Sequence, residues 1–232
     1  MLRVVCWKWD TREIHPKKQI RFGAEHVNRL YSMVSRHLHI PFEFVCITDD
    51  PTDIRSEVRI VPLWPDLRNM GGCYVRLKAF SQEARGIIGD RFVSLDLDTV
   101  IVDDITPIFN IPDQFKIWGD TAPRTPYNGS LWMMDAGARA HVWDHFDPVR
   151  SPRMGKTLGY IGTDQAWIGA CLGKYENKWT TEDGVYSYRV HFKKQNRTEL
   201  YPNARIIFFH GSADPSQREV QTRCPWVAKH WC

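Results

Sequence analysis

The chain has 232 residues, 43% of them hydrophobic and 25% charged, with a formal net charge of +4. That length and balance fit one folded domain with a sizeable core, and exclude a low-complexity or disordered chain. The small positive charge favours anionic ligands mildly and does not by itself define a nucleic-acid binder.

The six cysteines, Cys6, Cys46, Cys73, Cys171, Cys224 and Cys232, contain no Cys-x-x-Cys pair, so a zinc site has no support. Cys6, Cys46 and Cys171 lie in apolar runs and are expected as buried free thiols. The opening Met1-Leu2-Arg3-Val4-Val5-Cys6-Trp7 is too short and too soon charged for a signal peptide. No apolar stretch approaches the ~18 residues of a membrane span. A reducing, cytoplasmic setting is therefore expected, and the sequons at Asn128 and Asn196 are taken as chance matches.

In chain order, Leu2 to Trp7 reads as a buried strand and Lys8 to Gln19 as a polar, irregular stretch. From Gly23 to His37, Val27, Leu30, Tyr31 and Val34 recur at helical spacing, and Pro41 is expected to end that helix. Phe42 to Ile47 is a second strand, and Val58 to Pro62 a third, shorter one. Strand, helix, strand is the crossover unit of a parallel sheet. No glycine-rich phosphate loop follows the first strand. Gly71-Gly72 is expected as a flexible joint before a helix beginning at Tyr74, which carries Arg76 and Lys78. These two are either solvated charges or cations reaching a phosphate or carboxylate.

Phe92-Val93-Ser94-Leu95-Asp96-Leu97-Asp98 is the chemically pointed stretch. In an extended strand Asp96 and Asp98 would share a face, with Cα atoms about 6.5–7 Å apart. Two neighbouring carboxylates repel unless a cation lies between them, and a hard divalent ion, Mn²⁺ or Mg²⁺, suits oxygen ligands. Phe115 to Asp120 is a further strand, and Tyr127-Asn128-Gly129-Ser130 is a turned opening to the apolar strand ending at Asp135. There Asn128 and Ser130 either make the turn or hydrogen-bond a ligand. Ala138 to Phe146 reads as a helix, and Gly159 to Asp164 as a loop entering another, which Thr163 or Asp164 could cap. Tyr186 to Phe192 alternates and is expected as a half-exposed strand with a basic outer face, continued by Lys193, Lys194 and Arg197. Arg205 to Gly211 is the last strand. It ends in His210, a candidate third metal ligand. The tail, with Trp226 and Trp231, is expected to pack back on the domain.

Four of these pieces, in this order, resemble the GT-A glycosyltransferases, in particular family 8 and its bacterial and phage relatives. Asp96-Leu97-Asp98 resembles the family's metal-binding Asp-x-Asp. Tyr127-Asn128-Gly129-Ser130 is similar to its Asn-Ser-Gly element with the last two residues exchanged. Thr163-Asp164-Gln165 resembles the Asp-Gln of the sugar site, and Phe209-His210-Gly211 the C-terminal His-Gly element. The resemblance implies an α/β fold, a single GT-A domain over residues 1–232 with a mixed, mostly parallel sheet. Residues 1–100 would be its nucleotide half and 101–232 its acceptor and sugar half.

It also implies transfer of a sugar from a nucleotide-sugar, most often a UDP-sugar, with retention of configuration. Asp96, Asp98 and His210 would hold Mn²⁺ or Mg²⁺. Trp7, Arg76, Lys78, Asp96, Asn128 and Ser130 would bind the donor, while Asp164 and Gln165 would serve the reacting sugar. Were the enzyme inverting, Asp164 would be the candidate general base. One departure stands out: the family's His-Gly element continues to a lysine that contacts the diphosphate, and here the chain reads Ala213-Asp214-Pro215. Either Arg76, Lys78 or a residue of the 189–197 patch takes over, or donor binding is weakened. The competing readings are a nucleotidyltransferase of related sheet architecture and a degenerate, non-catalytic nucleotide-sugar-binding module. The acceptor stays open among glycan, lipid-linked glycan, protein and modified DNA.

Overall fold

The computed structural model describes residues 1–10, 22–65, 70–119 and 125–232. Most of the polar stretch after the first strand, and Asp120 of the expected fifth strand, lie outside the described residues. In chain order, β1 (Leu2–Lys8) leads to α1 (Ala24–His37), β2 (Phe42–Thr48) and β3 (Arg59–Pro62). A 3₁₀ segment, Tyr74–Phe80, and the short α2 (Ala84–Ile87) precede β4 (Arg91–Leu95) and β5 (Thr99–Ile101). Next come α3 (Thr106–Phe109), β6 (Phe115–Gly119), β7 (Tyr127–Asp135), α4 (His141–Asp144), α5 (Arg150–Thr157) and α6 (Asp164–Leu172). The chain closes with β8 (Lys178–Trp179), β9 (Val185–Ser187), a π-helical turn Tyr188–Lys193, β10 (Ile206–Phe208), α7 (Arg218–Arg223) and α8 (Pro225–His230).

The main sheet runs β3-β2-β1-β4-β7-β6-β8. β3, β2, β1 and β4 are parallel, β7 is antiparallel to both β4 and β6, and β8 is parallel to β6. The sheet is thus mixed, with a parallel half. A small sheet, β5-β10-β9, sits beside it, β10 being antiparallel to β5 and parallel to β9. Strands buried on both faces read as continuous apolar runs, and alternate residues enter two separate cores. From β1, Val4 and Cys6 enter one and Val5 and Trp7 the other. From β7, Leu131 and Met133 enter one and Trp132 and Met134 the other. The first core is roofed by α1, through Val27, Leu30, Met33 and Val34. Among the described residues no helix is long and apolar enough to cross a membrane.

Several expectations are corrected. The helix expected over Gly23 to His37 is present as α1, but Pro41 is not what ends it: Leu38 already turns extended while its N–H still bonds Val34 O. The helix expected over Ala138 to Phe146 is only α4, preceded by turns. Cys6 and Cys46 are buried thiols, but Cys171 is half-buried on α6. The expected strand Tyr186 to Phe192 stops at Ser187: the Ser187 hydroxyl accepts from Val190 N at 3.1 Å and the chain winds into the π-helical turn. Tyr188 and Phe192 still face inward, one turn apart instead of alternating.

Candidate active site

In an open sheet containing parallel strands, ligands bind outside the carboxyl ends of the strands where the winding order reverses. Here that place lies between β1 and β4, and Asp96 is the first residue beyond β4. Asp96 and Asp98 are not strand residues: β4 ends at Leu95, and the Asp-x-Asp forms a bend before β5. The bend is held at both ends. Asp96 N donates to Ser130 O at 3.0 Å, Thr99 Oγ1 donates to Asp96 O at 2.5 Å, and Phe209 N donates to Asp98 O at 2.8 Å. The last contact continues the β5–β10 ladder and brings the Asp-x-Asp bend against the segment carrying His210, more than a hundred residues on.

The centre of the site is Arg76, 5% exposed. Its Nε donates to Asp164 Oδ2 at 2.9 Å, its Nη2 lies 2.5 Å from the same oxygen, and its Nη1 bonds Asp96 Oδ1. One guanidinium thus joins the first turn of α6 to the Asp-x-Asp bend. Burial works against its charge, but Asp164 and Asp96 more than offset that and hold its pKa well above the usual value. The Asp164 carboxyl, 3% exposed, is raised by burial, with Arg76 pulling the other way.

α6 is aimed by a tight joint. The Thr163 hydroxyl does not cap the helix; it accepts from Cys73 N at 3.0 Å. Gly72 has φ +67°, and a Cβ there would stand 2.4 Å from Thr163 Cγ2. Gly71-Gly72 is therefore a packed corner.

β7 contributes through a bulge. Ile117 faces Trp132, but the next residue, Trp118, faces Asn128, so Gly129, Ser130 and Leu131 are extra on β7. Asn128 and Ser130 are both buried, and Asn128 Oδ1 accepts from Ser130 N at 2.9 Å, fixing the bulge. Gly129 N donates to Gln165 Oε1 at 3.3 Å, and a Cβ at 129 would lie 3.0 Å from both Arg76 Nη2 and Asp164 Oδ2. Glycine at 129 is what lets the buried ion pair lie against the strand. In the sequence Gly129 is one residue of an Asn-Gly-Ser opening, and the packing gives it its role.

The remaining expected residues fall as follows. Trp7 is 4% exposed; its indole donates to Ser94 Oγ at 2.9 Å and its ring packs on Trp64 at 5.7 Å. It is a core residue, because it lies on the face of β1 that enters the second core. Lys78 lies over the Trp64 ring, 5.7 Å from its centre. His210 is half-buried, with Nε2 2.7 Å from Ser187 Oγ. Its pKa is lowered by burial and by Arg189, against the pull of Asp96, so the imidazole is neutral at neutral pH.

Asp98 is pushed well up by burial and by the negative charges of Asp96 and Asp214. Asp214 is 4% exposed; Oδ1 accepts from Ser216 N at 2.8 Å and lies 3.5 Å from His26 Nε2. Burial raises its pKa, but His26 and Ser216 prevail and hold it below the usual range. A surface depression lined by Ala24, Asn28, Arg29, Asp53 and Arg55 contains none of these residues.

Two carboxylates and an imidazole form a donor set suited to Mn²⁺ or Mg²⁺, and the unbalanced negative charge around Asp98 favours a cation there. The side chains are nonetheless committed elsewhere, Asp96 to Arg76 and His210 to Ser187. Among the described residues no three His, Cys, Asp or Glu side chains are gathered into a ready metal cluster.

No family model matches the chain, and no curated protein matches it. Solved structures do. The galactosyltransferase LgtC in complex with donor and acceptor sugar analogues is similar with a TM-score of 0.62 at 13% identity, over 98% of this chain and 96% of that one. The glycosyltransferase GlyE of Streptococcus pneumoniae gives 0.63 at 10% identity, over 100% of this chain and 62% of that one. Mouse xyloside xylosyltransferase 1 gives 0.53 at 12% identity, over 91% and 98%. At such low identity the agreement speaks for architecture: with its mixed seven-stranded sheet flanked by helices, the chain has the fold of the GT-A glycosyltransferases.

Proposed function

We propose that this protein is a glycosyltransferase that moves a sugar from a nucleotide-sugar, a UDP-sugar in the first instance, to an acceptor. The observation that carries the reading is the Asp164–Arg76–Asp96 ion-paired chain at the carboxyl end of β4, with Gln165 and the Gly129 bulge against it. Buried charges of this kind are costly to assemble and cluster where charge develops during reaction.

Breaking a nucleotide–sugar bond leaves positive charge at the anomeric carbon and negative charge on the diphosphate. Asp164 would face the sugar and stabilise the oxocarbenium-like carbon, with Arg76 keeping the carboxylate ionised and oriented. Gln165, tied to Gly129 N and donating to Ile161 O at 3.1 Å, would position the sugar hydroxyls beside Asn128 and Ser130. Asp96, Asp98 and His210 would hold a divalent ion, which supplies Lewis-acid neutralisation of the leaving diphosphate. Engaging it requires Asp96 to share itself with Arg76 and His210 to release Ser187. Retention of configuration goes with this reading.

The test is hydrolysis and transfer from a panel of UDP-sugars with Mn²⁺, comparing wild type with Asp164→Asn. Release of UDP by the wild type, lowered at least about a hundredfold in the variant, supports the reading. No UDP release from any donor sinks it. Asp214, a carboxylate where resemblance leads one to expect a lysine, favours a second reading as a binding module without turnover. UDP binding without sugar release would select that one.

A further inference from the structure

The site is rich in negative charge. Asp96, Asp98, Asp164 and Asp214 converge on it electrostatically, and the buried cation, Arg76, is already matched by two of them. A diphosphate entering this site needs positive charge that no carboxylate has claimed.

The π-helical turn supplies one. β9 and β10 are parallel and in register at Ser187 opposite Phe208. Past that pair the Tyr188 and Phe209 rings stack at 4.4 Å, so the two chains stay side by side and Arg189 arrives beside His210 and Gly211. Gly211 has φ +89°, and the space where its Cβ would stand is open, the nearest atom being Arg189 Nη1 at 3.9 Å. Arg189 is exposed, and no carboxylate among the described residues forms an ion pair with it. A bare glycine backbone with an unclaimed guanidinium at its edge suits a phosphate oxygen, which can approach the main chain closely and take paired N–H donors.

Resting on the nucleotide-sugar reading above, we infer that Arg189, projected over Gly211 by the turn after β9, binds the diphosphate of the donor and stabilises it as it leaves. Asp214 itself is a structural acceptor, bonded to Ser216 beside His26.

The experiment is calorimetric binding of UDP and of inorganic pyrophosphate, each with Mn²⁺, and of uridine alone, to wild type, Arg189→Ala and Arg189→Lys. Arg189 is exposed, so the variants are expected to keep the wild-type melting temperature, which is measured alongside. A charge-assisted contact predicts about tenfold or greater loss of UDP and pyrophosphate affinity in Arg189→Ala, partial recovery in Arg189→Lys, and unchanged uridine binding. Wild-type affinity for UDP in Arg189→Ala overturns the inference and leaves the nucleotide-sugar reading standing. Equal loss of uridine binding also overturns it, since a diphosphate contact cannot weaken a ligand without phosphate. A wild type that binds neither UDP nor pyrophosphate removes both.

Discussion

Arg76 holds two segments that are eighty-eight and twenty residues distant from it. Removing one member of a buried ion pair strands its partners, at a cost of about 3–5 kcal/mol. Arg76→Ala is expected to lose that much in denaturant unfolding and to lose donor turnover, while Arg76→Lys, lacking the fork, recovers stability only in part. Asp98 responds with the opposite sign. Its carboxyl is held above the usual range in the folded protein, so the folded state takes up a proton more readily than the unfolded one. Stability is then lost as pH rises through the interval between the unfolded and folded values. Asp98→Asn removes the repelled charge and is expected to raise the melting temperature at neutral pH by roughly 2–4 °C, equivalent to about 1 kcal/mol. It should also abolish any Mn²⁺-dependent stabilisation, which in wild type should strengthen with pH because the ion competes with the proton. Both effects are read by thermal scans across pH, with and without Mn²⁺. The two aspartates were legible in sequence, but the strand alternation used to pair them was not the cause: they meet in a bend pinned by Ser130 and Phe209.

At the level of elements, the stretch after β9 shows why periodicity alone misleads. Tyr186, Tyr188, Val190 and Phe192 satisfy a two-residue repeat, yet Tyr188 and Phe192 also satisfy a helical one. The Ser187 hydroxyl decides between them, taking Val190 N at the start of the turn and contacting His210 Nε2. Ser187→Ala should cost about 1 kcal/mol, as loss of a helix-capping hydroxyl does, and should free the imidazole. The expected readouts are a lower unfolding midpoint and a changed His210 titration by NMR. Thr163 offers the converse case: it occupies the capping position of α6, but its hydroxyl serves Cys73 N instead, so the residue joins two segments.

Across the molecule, one core spans almost the whole chain, from Leu2 to Trp231. Trp231 closes it against α1: Arg29 stacks over its ring at 4.2 Å and donates to its carbonyl at 2.5 Å, and His26 meets its edge at 5.5 Å. Because His26 also stands beside Asp214, this packing supports the site's C-terminal wall. Trp231→Ala should cost about 3–5 kcal/mol and lower the melting temperature by roughly 10 °C. Donor affinity should fall less than in Arg189→Ala, since the indole lies behind the site.

The chain's own pattern determined the strand–helix–strand opening and the apolar strands, and it marked out acidic, imidazole and amide residues as candidates for the proposed site, because burial periodicity and residue chemistry are local properties. Which face Trp7 takes, how the β7 bulge brings Gly129 under the ion pair, and that Arg76 spends its charge on two aspartates were decided only by tertiary structure. Those outcomes depend on strand register, on three-residue bulging against one neighbour but not the other, and on contacts between segments far apart in sequence, none of which a local pattern encodes.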